Sequence, residues 1–330
     1  YASMERYMDW LATTELSGPN ATYGDWLAYE PTDARYISVA YYALDARYMA
    51  AMSRAIDRAD RAAHYDSLFE QIRDHFRRIY CNAEGDLNPE VRTQTGYLLA
   101  LRNDLLLPER RPAAVAALKQ KIIDNGYKLS TGFVGSCILN EVLAEFGEND
   151  LAYSLLLQTE NPSWLYSVHQ GATTIWERWN SYTKATGFGD VGMNSFNHYA
   201  YGAVQEWMYR HIAGIETTEQ APGFAHPILQ PKPDTRSAEE IPAGQEKITW
   251  VRTSFASPVG LIESAWDMTD GFTYTCRVPV AATLHLPLIG NAETLVINGV
   301  AHKPDEFKLC PVGKGVTIEL APGAYTFEQK

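Results

Sequence analysis

Long apolar runs are missing from this chain of 330 residues: no stretch approaches the ~18–20 unbroken hydrophobic residues a membrane helix needs, so no membrane partner is expected. Positive charge is scarce too. Lysine and arginine number 28 against 40 aspartates and glutamates, and no Lys/Arg-rich run occurs. Nucleic-acid binders carry a basic face, so no nucleic-acid partner is expected either. The four cysteines, Cys81, Cys137, Cys276 and Cys310, form no CxxC pair. That argues against a disulfide framework and against zinc, and buried free thiols are the simpler expectation. No G-x-S-x-G or G-x-x-x-x-G-K is present, which removes the esterase-type nucleophile and the phosphate loop. The N-terminus shows no charged segment followed by an apolar one and no initiating Met, so the chain is read as part of a longer one.

What remains has the composition of an ordinary globular protein, 46% hydrophobic and 21% charged, and a length that suits two domains. Up to about Ile215 the apolar spacing is helical. Ala34–Arg58 carries Ile37, Ala40, Tyr41, Leu44, Tyr48, Ala51 and Met52 at intervals of three and four. Asp60–Tyr80, Thr95–Leu105, Arg111–Asn125, Gly135–Phe146, Asp150–Gln158 and Ser195–Ile212 continue the series. Short breaks with turn chemistry imply antiparallel helical hairpins. Longer loops rich in Gly, Trp, Tyr and Asn cover Leu16–Asp33, Leu129–Gly135, Asn161–Thr174 and Asn180–Asn194. After about Glu216 the pattern turns to strands, at Lys247–Thr253, Gly260–Trp266, Phe272–Val278, Thr283–Pro287, Thr294–Ile297 and Gly315–Leu320. Asn298-Gly299 between apolar residues signals a hairpin. An α region over 1–215 is therefore expected to precede an antiparallel β-sandwich over 216–330.

Three clusters could carry chemistry. In Gln170–Trp179, Glu177 lies between Trp176 and Trp179. Indole faces stack on the C–H faces of sugars and thin the water around an acid. A plainer reading makes both tryptophans core residues and Glu177 a solvated acid. In Tyr23–Leu27, Asp25 stands beside Trp26, while Thr32 or Asp33 caps the helix that follows. In Ser195–Ala200, Ser195 or Asn194 is an acceptable N-cap and His198 would occupy the first helical turn. An isolated histidine is more often structural, and no HExxH or HxxxH spacing accompanies it, so no metal is expected. Hydrolysis by paired carboxylates is the one chemistry with several supporting residues.

These motifs resemble a known family. GATTIWERW (171–179), SFNHYAYGAV (195–204) and AGI (213–215) are similar to the signature of the bacterial α-L-rhamnosidases of glycoside hydrolase family 78. YGDWL (23–27), TQT (93–95), TGFVGS (131–136) and NPSW (161–164) occur in the family's order. The resemblance implies a partial (α/α)6 toroid of helical hairpins over 1–215, followed by the family's C-terminal β-domain, and a pocket for terminal α-L-rhamnose. It implies an inverting reaction without a cofactor, in which a protonated acid and a base stand ~6.5–9.5 Å apart. Glu177 would be the base. Trp26, Trp164 and Trp176 would line the pocket, Trp179 would back it, and His198 would bond a ring hydroxyl. Asp25 would contact the sugar or orient a loop. The general acid would come from an acidic motif upstream, on the remainder of the same chain. These residues alone are then not expected to make a competent rhamnosidase. The habits of such enzymes slightly favour the periplasm over secretion or the cytoplasm. A non-catalytic carbohydrate-binding fragment and a different (α/α)6 glycosidase are the alternatives.

Overall fold

Alanine-rich sequence and side-chain caps account for the helices that position the site. The computed structural model describes residues 1–19, 23–311 and 313–330; part of the Leu16–Asp33 loop lies outside them. The helices are α1 (Ala2–Leu11), α2 (Ala34–Ala55), α3 (Ala59–Tyr80), α4 (Gln94–Arg102), α5 (Arg111–Asp124), α6 (Phe133–Glu145), α7 (Asn149–Leu156), α8 (Trp164–His169) and α9 (Val204–Trp207). The Asp33 carboxylate accepts the Arg35 and Tyr36 amides and so fixes the start of α2. Ala40, Ala43, Ala46 and Ala50 then offer α2 a buried stripe of small side chains, and α2 packs on α3 as a hairpin. α4 is buried from Gln94 to Leu101, whereas α5 buries only Ala114, Val115, Leu118 and Ile122. An inner helix and an outer helix differ in this way. α4 packs against α2, α5 and α6, and α6 packs against α7.

The inner helices α2, α4 and α6 begin at one end of this region. The Thr32 and Thr93 hydroxyls share a hydrogen bond of 2.5 Å, and the Tyr36 hydroxyl donates to the Gly96 carbonyl. Thr93 caps α4 through the Gly96 amide. Asp25 reaches both Thr95 in α4 and the first turn of α6. The loops before the three helices therefore gather at the same end. Asp45, half-buried on α2, makes no ion pair among the described residues, and burial pushes its carboxyl from 3.8 to about 6.

Contacts divide the chain into two compact units, Tyr1–Ala203 and Val204–Lys330. The second therefore opens inside the helical stretch expected to end the first. Its helical residues, α9 and a π-helical turn over Met208–Ile212, lead straight to a strand, and the Ile212 and Ala213 carbonyls accept from the Trp266 indole and the Ser264 hydroxyl. A six-stranded antiparallel sheet runs in the order Val300–His302, Leu295–Ile297, Gly323–Gln329, Thr273–Val278, Gly260–Asp267, Trp250–Ser257. A five-stranded sheet has the order Lys308–Leu309, Gly315–Leu320, Ala282–Pro287, Ile228–Leu229, Ile215–Glu216. One pair in it, Ile228–Leu229 with Ala282–Pro287, is parallel, a departure from the wholly antiparallel expectation. Buried and exposed residues alternate along Thr273–Val278 as a half-buried strand requires. Ile297 pairs with Val300, and Asn298 and Gly299 take φ of 49° and 85°, the left-handed pair that a two-residue hairpin turn demands.

Candidate active site

Thr131–Gly135, at the entrance to α6, brings together Asp25, Trp26, Trp179 and His198 of the predicted residues. Asp25 is 5% exposed. Its carboxylate accepts the Gly132 and Val134 amides at 2.8 Å, the Gly135 amide at 3.2 Å and the Thr95 hydroxyl. Burial pushes this carboxyl up, and those four hydrogen bonds oppose the rise. Asp25 thus presents no free oxygen to a ligand; it ties the 23–28 loop to α6. The approach is close enough to need glycine. A Cβ at Gly132 would lie 2.2 Å from the Trp26 carbonyl oxygen, and one at Gly135 would lie 2.2 Å from the Thr95 hydroxyl. Trp26 is half-buried, packs edge-on against Tyr23 at 5.2 Å, and its carbonyl accepts the Phe133 amide.

The tryptophans form a bonded aromatic wall. Ser163 caps α8 by accepting the Tyr166 amide, which sets Trp164 at the first helical position. The Trp164 indole N–H donates to the Tyr201 carbonyl, and its ring stands edge-on to Trp179 at 5.5 Å. Trp179 donates to the Thr131 carbonyl at 2.9 Å and stacks on Tyr201 with centroids 3.8 Å apart. Asn161 donates to the Trp179 carbonyl at 2.6 Å and accepts from the Tyr29 hydroxyl. Trp176 stands edge-on to Phe196 at 5.2 Å. Trp164, Trp176 and Trp179 are all more than nine-tenths buried, so the core reading of Trp176 and Trp179 holds: they are packed.

That acid is Glu177, 8% exposed. Its main chain pairs with a neighbouring segment: the Glu177 amide donates to the Ser195 carbonyl at 2.9 Å and the His198 amide to the Ile175 carbonyl at 2.8 Å. The Ser195 amide in turn donates to Glu177 Oε2 at 2.8 Å. Oε1 takes no hydrogen bond among the described residues, and Glu177 makes no ion pair among them. Arg178, its sequence neighbour, turns to Asp190 at 3.6 Å. Glu177 is therefore neither a solvated surface acid nor half of a salt bridge.

The helix expected over Ser195–Ile212 begins later than its sequence signals suggest. Helical structure starts at Ala200, with a 3-10 turn over Ala200–Ala203. Ser195 does not cap it: its main chain pairs with Glu177, and its hydroxyl accepts the Asn197 amide. His198 accordingly lies outside the helix. Its ring packs against Phe133 at 4.9 Å, and Nδ1 accepts the Ala200 amide at 3.3 Å. In the neutral imidazole this leaves the proton on Nε2, a donor for a ligand. Tyr201, Phe133, Phe196 and Asn161 escaped selection. Tyr201 lies within the quoted SFNHYAYGAV motif, the one signal that could have found it. It is 2% exposed, and burial pushes its phenol well up. Among the described residues no group of three or more His, Cys, Asp or Glu could hold a metal ion. Of the cysteines, Cys276 is buried and the other three are only half-buried, short of the burial expected.

Hairpin helices whose loops carry packed tryptophans and a buried acid have the form of a six-hairpin glycosidase domain. Residues 1–212 match the family model of the bacterial alpha-L-rhamnosidase 6 hairpin glycosidase domain, and residues 214–300 that of the bacterial alpha-L-rhamnosidase C-terminal domain. The chain belongs to the bacterial alpha-L-rhamnosidases. An alpha-L-rhamnosidase of Formosa agariphila is 36% identical over 99% of this chain and 33% of its own length. One of Streptomyces avermitilis is 39% identical over 81% of this chain and 25% of its own. Among solved structures, Streptomyces avermitilis alpha-L-rhamnosidase complexed with L-rhamnose superposes with a TM-score of 0.86 at 33% identity, covering 100% of this chain and 30% of that one. The Aspergillus terreus enzyme gives 0.75 at 28% identity over 92% of this chain and 32% of its own. The chain thus spans about a third of the length of the curated relative that it matches over 99% of its residues.

Proposed function

We propose that this chain carries the water-activating side of an inverting α-L-rhamnosidase site, acting on terminal α-L-rhamnose of a rhamnose-containing carbohydrate. Glu177 is the general base, and the general acid comes from a segment outside residues 1–330. One observation carries the reading: a buried carboxylate with one oxygen fixed by the Ser195 amide and the other unbonded. A base must hold its orientation and still have a lone pair to offer. The Ser195 amide supplies the first, and Oε1 supplies the second.

In this mechanism water bridges Oε1 and the anomeric carbon. Glu177 takes a proton from the water as its oxygen bonds to that carbon. The bond to the leaving oxygen breaks on the opposite face of the ring, and the acid protonates that oxygen. His198 Nε2–H donates to a ring hydroxyl, Trp26, Trp164 and Trp176 line the pocket, and Trp179 backs it. Asp25 serves as a positioning residue that holds the Trp26 loop on α6. The test uses the protein extended to the length of its relatives, with an α-L-rhamnoside, and follows the anomeric proton by NMR. The β-anomer of L-rhamnose is expected to appear first and then mutarotate. If the α-anomer is released first, the inverting mechanism fails; if no rhamnose is released, the rhamnosidase reading fails with it.

A further inference from the structure

A cavity of about 760 Å³ opens at the loop end of the helical unit, among Tyr29, Arg92, Tyr97, Gln120, Leu129 and Pro162. It falls within the ~300–1,000 Å³ range of small-molecule sites. None of the residues assigned above to the rhamnose pocket lines it. Tyr97 is 8% exposed, and its hydroxyl has no hydrogen-bond partner among the described residues. That hydroxyl is not sealed from solvent, so it is free to bond a ligand in the cavity. Arg92 donates its Nε–H to the Leu87 carbonyl at 2.7 Å and makes no ion pair among the described residues, so the rest of its guanidinium is open.

The chemistry of the lining points to a sugar. Tyr29, Leu129 and Pro162 offer apolar surface for the C–H face of a pyranose. The Tyr97 hydroxyl, the Arg92 guanidinium and the Gln120 carbonyl oxygen supply donors and acceptors for its hydroxyls. The other charges are engaged: Lys121 pairs with Glu30 at 2.7 Å, and Asp124 accepts from Gln120 at 2.7 Å. Two cations and two anions leave the lining balanced, which suits a neutral ligand.

The cavity also shares a wall with the tryptophan cluster. Tyr29 and Pro162 line it, and Asn161 links Tyr29 to the Trp179 carbonyl. Leu129 and Ser130 line it too, and the next residue, Thr131, accepts the Trp179 indole N–H. We propose that this cavity is a second sugar-binding subsite. It holds neutral pyranose units of the same carbohydrate whose terminal rhamnose sits at Glu177, and it rests on that functional reading.

The test is calorimetric titration of the protein, at the length of its relatives, with L-rhamnose and with a neutral rhamnose-terminated tetrasaccharide whose terminal linkage is an uncleavable thioglycoside. The wild type is expected to bind the tetrasaccharide about tenfold more tightly than rhamnose. Ala117→Trp fills the cavity from α5 and should abolish that preference while leaving rhamnose affinity unchanged. Tyr97→Phe, which removes one hydroxyl from an otherwise identical ring, should weaken the tetrasaccharide about threefold or more. A wild type without preference, or a tetrasaccharide affinity that neither variant alters, overturns the subsite. Binding of the tetrasaccharide that responds to both variants, with no binding of rhamnose, would support the subsite and overturn the rhamnose assignment at Glu177.

Discussion

Two carboxylates in the helical unit, Asp25 and Glu177, are hidden almost equally, at 5% and 8% exposure, yet they are offered opposite surroundings. Asp25 receives three backbone amides and a hydroxyl. Glu177 receives one amide and keeps an oxygen unbonded. Burial alone does not distinguish a structural acid from a reactive one; unfilled hydrogen-bonding capacity does. The first acid holds a loop on a helix, and the second has lone pairs available for a proton.

The sharpest way to break this comparison is to neutralise each acid in turn. Glu177→Gln keeps the shape and the Ser195 contact, so thermal unfolding should hardly move. Rhamnoside hydrolysis, in the protein at the length of its relatives, should fall ~10²–10⁴-fold or more. Near-normal turnover would remove Glu177 from the base role. Asp25→Ala should do the reverse. It leaves four donors at the α6 entrance without their acceptor, at about 1–3 kcal/mol for each one that water cannot reach. Denaturant unfolding of the helical unit should therefore lose at least about 3 kcal/mol. A change below about 1 kcal/mol would show that the Asp25 anchor contributes little.

A smaller effect belongs to Asp45, which differs from both acids in being only half-buried and in accepting no hydrogen bond among the described residues. Its folded carboxyl lies at about 6, above its ordinary 3.8. The folded state therefore holds the proton more tightly, so Asp45 contributes most to stability below about pH 4. That contribution is lost as pH rises through 6. Asp45→Asn should raise the melting temperature above pH 6, by about 2–4 °C or less given partial solvent screening, and change little at pH 4. A shift of equal size at both pH values would show that its charge is irrelevant.

How much of this was legible in sequence differs between the same two corners. The start of α2 was readable because Asp33 and the three-and-four spacing after it are local signals, and the Asn298-Gly299 hairpin was readable for the same reason. Glu177 stood out through its flanking tryptophans and the ordered motifs around it. The pairing of Ser195 with Glu177 was not readable. The N-cap signal of Ser195 is local, but pairing with Glu177, 18 positions earlier in the chain, overrides it. Asp25's role was hidden likewise, since its partners lie 70 residues away at Thr95 in α4 and more than a hundred away at Gly132, Val134 and Gly135. The short strands Lys308–Leu309 and Val300–His302 carry too few residues for an alternating pattern to register. Tyr97's cavity draws on several separate segments, and nothing in any one of them announces it.

The anchoring of α6 has a consequence for motion. The first amides of a helix lack partners within it and usually trade their hydrogens with solvent early. Here Val134 and Gly135 lie in that first turn, and their amide hydrogens point into the Asp25 carboxylate. In deuterium exchange they should be retained as long as interior amides of α6, and they should be released only when the 23–28 loop lifts away. The exchange rate of these two amides would then report how often the Trp26 loop opens.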